Sequence, residues 1–234
     1  MKRIKIEKFR PETLEIYNYF KQQSGSEHIA KPTTIEILLD ICREQQPKKI
    51  LELGGGIGTI SYLLLSNSTA QVDIYEDNDF CFNKLEERIF PFGDVRFKVI
   101  KNYHEMPPAK EYDLVIVDGG SGKGRGKDFD GGYMMAVSDI LKCIDPVKTI
   151  YVEGYRHIQR WLIFKVLRKK YTYKLIRYDE TSFQGKRLSG GLKIECKFSQ
   201  SKILRLVNFI FWAIVEWYPV RNFISYRFKK LIGK

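Results

Sequence analysis

An α/β fold around a mostly parallel sheet is what the sequence predicts, and three observations carry it. Lys49-Ile50-Leu51-Glu52-Leu53 is an apolar run closed by the turn Gly54-Gly55-Gly56-Ile57-Gly58, and an apolar-periodic segment begins at Ile60. That order reads as a buried strand, a tight turn and a helix starting at once. Further strand-length runs, residues 71–76 and 112–118, end in acids and are separated by segments of helical length, the alternation of βαβ units. Finally, residues 174–178 and 192–198 read as two strands joined by a polar turn.

Taken in order, residues 11–23 are predicted helical. Pro11 suits a first-turn position, and Leu14, Ile16, Tyr17 and Phe20 follow a helical spacing. Ser24-Gly25-Ser26-Glu27-His28 breaks that helix, and Pro32 opens a second one through about Gln46, with Ile35, Leu38, Leu39 and Cys42 on one stripe. His28 lies in the intervening loop, where it is read either as a satisfied loop histidine or as a residue facing the site. Residues 1–31 are expected to form an N-terminal helical cap, residues 32–200 the main domain, and residues 201–234 a helical extension.

The glycine turn is the first functional signal. Glycine is needed where φ is positive or where a ligand approaches the backbone closely. The helix N-terminus beyond it offers free N–H groups and the positive end of a dipole. A dinucleotide fingerprint, G-x-G-x-x-G/A, fails in both registers, because Thr59 or Ser61 occupies its last position. Glu52-x-Gly54-x-Gly56-x-Gly58 does form a pattern, and with it the chain resembles the class I S-adenosylmethionine-dependent methyltransferases. The resemblance spans about residues 32–198. It implies a Rossmann-like three-layer sandwich with a seven-stranded, mostly parallel sheet whose last hairpin is antiparallel. It also implies S-adenosyl-L-methionine as cofactor, held by Glu52, Gly54, Gly55, Gly56 and Gly58.

Residues 71–76 form the second strand and end in Glu76, about 18 residues beyond Gly58. Ligands of open parallel sheets bind beyond the carboxyl ends of the strands, where a carboxylate can accept from both ribose hydroxyls. The resemblance assigns that role to Glu76. Asp77 and Asp79 are expected to cap the next helix, which carries Phe82, Leu85 and Ile89. Strand three is expected over residues 95–100. Just past it, where family members often carry an Asp that reads the adenine amino group, this chain has Lys101-Asn102, and Asn102 is the candidate. Strand four, residues 112–118, ends in Asp118, which the resemblance places beside both cofactor and transferable methyl.

Between Gly119 and Gly132 stand seven glycines and the basic residues Lys123, Arg125 and Lys127. No G-x-x-x-x-G-K-S/T is present; the stretch is read as a lid meeting an anionic group or as an insertion. A helix over residues 133–144 and strand five, residues 148–152, lead to Glu153-Gly154-Tyr155-Arg156-His157. Asp118 and Glu153 then close adjacent strands. Some O-methyltransferases of this class hold a divalent metal there with a third acid or amide, which Gly154 does not supply, so metal dependence is not favoured. Asp118, Glu153 and His157 are the candidate general bases for a substrate hydroxyl.

Residues 158–170 are read as a basic helix, and residues 201–234 lie outside the resemblance. From Ile203 to Tyr218 the polar interruptions are Arg205, Asn208 and Glu216, too short a run to span a bilayer. Beyond Pro219 come Arg221, Arg227, Lys229, Lys230 and Lys234. An amphipathic helix with a basic tail suits an anionic membrane surface; packing on its own domain or a homodimer contact are the other readings.

Charge supports an anionic partner. The net charge is +12, yet residues 1–155 carry 21 Lys and Arg against 24 Asp and Glu, whereas residues 156–234 carry 19 against 4. The four cysteines show no C-x-x-C spacing, which argues against a disulfide or zinc framework. The basic N-terminus lacks a following apolar segment, so no secretory signal is expected, and the location expected is cytoplasmic, peripheral on the inner membrane face. The leading functional expectation is O-methylation of a small molecule or glycan, with lipid linkage of the acceptor explaining the C-terminus. RNA methylation is the alternative, although no N/D-P-P-Y/F follows strand four; a methyltransferase-like binding protein without catalysis is a third reading.

Overall fold

A computed structural model describes residues 1–119, 132–181 and 187–215. The elements are β1 (Lys2–Lys5), α1 (Pro11–Lys21), α2 (Pro32–Gln45), β2 (Lys49–Leu53), α3 (Thr59–Asn67), β3 (Gln71–Tyr75), α4 (Asp79–Ile89), β4 (Phe97–Ile100), β5 (Tyr112–Val117), α5 (Gly132–Cys143), β6 (Val147–Glu153), α6 (His157–Leu167), β7 (Tyr171–Thr181), β8 (Arg187–Phe198) and α7 (Lys202–Val215).

One sheet runs in the order β1-β7-β8-β6-β5-β2-β3-β4. Every neighbouring pair is parallel except those made by β8, which runs against both β6 and β7. From β2 the chain first winds outward through β3 and β4, then returns to β5 on the other side. The carboxyl ends of β2 and β5 therefore flank the point where the winding reverses, which is where such sheets leave a crevice.

Burial on both faces explains the nearly continuous apolar strands. Along β2, Leu51 and Leu53 face a core shared with α5, α6 and α7, while Ile50 faces the core beneath α1, α2, α3 and α4. Helix α2 is covered almost all round. Arg10 helps to fix α1 on it, its Nε lying 2.7 Å from Glu36 Oε1 and its backbone N–H donating to Glu36 Oε2 at 3.1 Å.

The sheet has eight strands, not the seven expected. The addition is β1, which pairs in parallel with β7 from Lys2 opposite Ile176 to Lys5 opposite Asp179. Lys2-Arg3-Ile4-Lys5 offers a single apolar residue, so no periodic signal marks it. Backbone pairing makes the strand, and its lysines keep an exposed edge from recruiting another chain. Strand β4 starts at Phe97 rather than at Val95, whose side chain is left in solvent. Helix α4 is capped by Asn78, whose Oδ1 accepts from the Cys81 N–H at 3.0 Å, rather than by Asp77 or Asp79. Among the described residues, no helix is long and apolar enough to cross a membrane.

Candidate functional site

The glycine turn leaves β2 and is tied at once to β3, because the Gly54 and Gly55 N–H groups both donate to the Tyr75 carbonyl at 3.0 Å. The glycines do different work. A Cβ on Gly55 would lie 2.7 Å from Ile74 Cγ2 and 2.8 Å from Leu85 Cδ2, so this residue lets α4 close on the sheet. Gly56 has φ +52° and open space where a Cβ would be, so the backbone faces the crevice bare. Helix α3 follows with no side-chain cap at its N-terminus among the described residues, which leaves donors and a positive dipole end pointing out of the turn.

Glu76, just past β3, reaches back to this turn. Its Oε2 accepts from the Gly56 N–H at 2.7 Å and its Oε1 from the Asn78 N–H at 2.9 Å. Burial raises its pKa, and those backbone donors pull it back down. Each carboxylate oxygen keeps a second acceptor site.

Across the crevice, Asp118 and Glu153 close β5 and β6, and Arg156 lies between them. Its Nη2 is 3.0 Å from Asp118 Oδ1 and 3.2 Å from Glu153 Oε2, while Nη1 donates to the Gly119 carbonyl at 2.8 Å. Burial, then repulsion from Glu153, pushes Asp118 up to about 7, with the guanidinium acting the other way. The guanidinium thus lies between these two acids, and among the described residues no three His, Cys, Asp or Glu side chains converge as a metal site.

These groups line a cleft of about 440 Å³, a volume suited to a small molecule. Its floor is Gly54, Gly55, Gly56 and Glu76; one wall is Asp118, Gly119, Glu153 and Arg156; Glu27, Ile29, Ala30 and Lys31 form the rim ahead of α2. Thr59 also lines it, with its Oγ1 buried and without a hydrogen-bond partner among the described residues.

Of the residues expected at the site, Gly54, Gly55, Gly56, Glu76, Asp118 and Glu153 meet in the cleft. Glu52 does not reach it. Its side chain is wholly buried, Oε2 accepts from Ser61 Oγ at 2.6 Å, and Oε1 has no partner among the described residues. Burial holds its pKa well above the ordinary carboxylate range. Gly58 precedes α3 and lies against Leu85 rather than the cleft. Asn102 is exposed, its Oδ1 accepting from the His104 N–H at 2.9 Å. His157 is the exposed first residue of α6, its ring 5.8 Å from that of Tyr155, and it is not on the cleft wall. The His28 side chain, Lys123, Arg125 and Lys127 lie outside the described residues.

Sequence reasoning missed Arg156, and of the 27–31 rim it named only His28 as a residue that could face the site. The signal available for Arg156 was its spacing, a cation three residues past Glu153 on the turn into α6. For the rim there was only the break between two helices.

No family model and no curated protein matches the chain. Solved structures do match its fold. An O-methyltransferase from Streptomyces achromogenes involved in tomaymycin synthesis, solved with S-adenosylmethionine, superposes with a TM-score of 0.56 at 12% identity over 82% of this chain and 92% of its own. An O-methyltransferase from Bacillus cereus, solved with S-adenosylhomocysteine, gives 0.52 at 13% identity over 79% and 88%. A candidate RNA methyltransferase from Pyrococcus horikoshii gives 0.54 at 16% identity over 80% and 99%. The fold is that of the Rossmann-like methyltransferases.

Proposed function

We propose that the chain is an S-adenosyl-L-methionine-dependent methyltransferase that methylates an oxygen of a small molecule or glycan. The observation that carries this reading is the convergence of the bare Gly56 backbone, the Glu76 carboxylate and the Asp118–Glu153 pair in one cleft at the sheet's reversal point. The cleft fits the cofactor on its own terms. Glu76 retains acceptor sites for vicinal hydroxyls, the start of α3 and the buried Thr59 hydroxyl offer polar partners, and a side chain at Gly56 would fill the cradle. Four carboxylates, of Glu27, Glu76, Asp118 and Glu153, face two cations, of Lys31 and Arg156, a field that favours a sulfonium.

S-adenosylmethionine, when bound, supplies an electrophilic methyl group. The chain's own work is to hold the acceptor in line with it, which lowers the barrier mainly through positioning. Asp118, with its pKa near 7, takes the proton from the acceptor hydroxyl, the pKa region where a base is most effective near neutral pH. Arg156 keeps Asp118 and Glu153 oriented and tempers their repulsion.

RNA methylation is supported by the +15 carried by residues 156–234 and by the likeness to the Pyrococcus protein. A transfer assay with methyl-labelled cofactor, run separately over small-molecule, lipid and RNA fractions, decides between the two. Label is expected in a small-molecule, glycan or lipid product. Label in RNA alone would replace the proposal, and cofactor binding without transfer into any fraction would leave a binding protein.

A further inference from the structure

Helix α7 has two apolar faces. Arg205, Asn208, Phe209 and Trp212, at i, i+3, i+4 and i+7, lock it onto the body. The Trp212 ring stacks 4.0 Å from that of Phe164 and 5.7 Å from that of Trp161 on α6. Asn208 Oδ1 accepts from the Tyr173 N–H at 2.9 Å, Nδ2 donates back to the Tyr173 carbonyl at 3.0 Å, and Arg205 Nη1 donates to the Ser199 carbonyl at 2.7 Å. Packing on its own domain thus accounts for one side of the helix.

The other side is left in solvent. Ile203, Leu206, Val207, Ile210, Phe211 and Ile214 repeat at helical spacing and are 75, 56, 59, 46, 50 and 46% exposed, with Leu204 beside them at 59%. Folded monomers seldom expose a contiguous apolar face of more than a few hundred Å² without a partner. Its 14 described residues are about 21 Å long, against a hydrocarbon core of about 30 Å, and among the described residues no helix is long and apolar enough to cross a membrane.

Charge selects the partner. Helix α7 holds no acid, and Lys202 is exposed at its start. The exposed end of α6 beside it carries Lys165, Arg168 and Lys169, and the Arg168 guanidinium lies 4.9 Å over the Phe209 ring. The sequence that follows, residues 216–234, adds five Lys and Arg against Glu216 alone. An apolar face bordered by cations matches an interfacial helix on anionic lipid. A second copy of this chain would set these cations against their own kind.

We propose that the outward face of α7 docks the protein on an anionic membrane surface. Through Trp212 the helix packs on Trp161 of α6, the helix that begins just after Arg156 of the cleft wall. The docking itself stands whether or not the cleft transfers methyl groups.

The test is flotation of the full chain with phosphatidylcholine vesicles, with and without about one-third phosphatidylglycerol. The chain is expected to float with the anionic vesicles, less so at high salt, and poorly with pure phosphatidylcholine. The exposed double substitution Ile210→Glu/Phe211→Glu should reduce partitioning about tenfold or more. Leu14→Glu, on α1 and equally exposed, should leave it unchanged, and circular dichroism of both variants should match wild type. No flotation of wild type, equal flotation of the double variant, or equal partitioning into both vesicle types would overturn the proposal. So would light scattering that shows a wild-type dimer which the double variant dissolves, since the face would then belong to a second copy.

Discussion

Arg156 sits between two carboxylates that would otherwise repel one another, 3.0 Å from Asp118 and 3.2 Å from Glu153. Its charge favours the ionised form of Asp118, so its loss should raise the proton affinity of that carboxylate. A base works when deprotonated, so the rate of methyl transfer should climb as pH rises through about 7, the value to which burial and Glu153 push Asp118. In Arg156→Gln the midpoint of that climb should move about one unit upward, leaving the rate at pH 7 about fivefold lower and recovered at higher pH. A pH–rate profile reads this, and a uniform drop with an unmoved midpoint would contradict it. Because the guanidinium already bridges the acids, transfer should also survive dialysis against a chelator. The acids were legible in the sequence, each closing an apolar strand. Arg156 was not, because its role depends on how the turn after Glu153 folds back over β5. Glu52 shows the reverse: its place in the glycine motif is clear in the chain, but the alternation of β2 sends its side chain under Ser61 and away from the cleft.

At the scale of elements, α7 is held by few but large contacts. Trp212 is 1% exposed and packs against Phe164, Trp161 and Phe209. Trp212→Ala should cost about 3 kcal/mol, or a fall of about 6–12 °C in Tm for a chain of this size. Ile210→Ala, on the outward face, should stay within about 0.5 kcal/mol. Thermal melts check both, and equal losses would mean that the outward face is packed too. The helix was readable from its composition, but which face is buried was not, since both faces are apolar. Strand β1 was hidden for the opposite reason, its residues being nearly all charged. The hairpin β7–β8 also extends well past its apolar middle, from Tyr171 opposite Phe198 to Thr181 opposite Arg187, because ladder hydrogen bonds persist where apolar residues stop.

At the scale of the whole molecule, the sheet order brings distant segments to one place. Gly54–Gly56, Glu76, Asp118 and Glu153 span a hundred residues of sequence, yet parallel winding delivers each to the same end of the sheet. That convergence was foreseeable from strand order, because successive parallel strands end on one side. The rim ahead of α2 was foreseen only as a loop whose His28 could face the site, because the place of Glu27, Ile29, Ala30 and Lys31 depends on how α2 packs over the sheet. Charge divides along the same lines, with acids gathered in the cleft and cations concentrated in the last third of the chain. Whether this cleft takes S-adenosylmethionine is read by titration calorimetry of the full chain. Saturable one-to-one binding is expected, weakened about tenfold to a hundredfold in Glu76→Ala, the scale of lost hydrogen bonds to a charged group. Absence of binding by folded wild type, or equal binding by Glu76→Ala, would contradict the account.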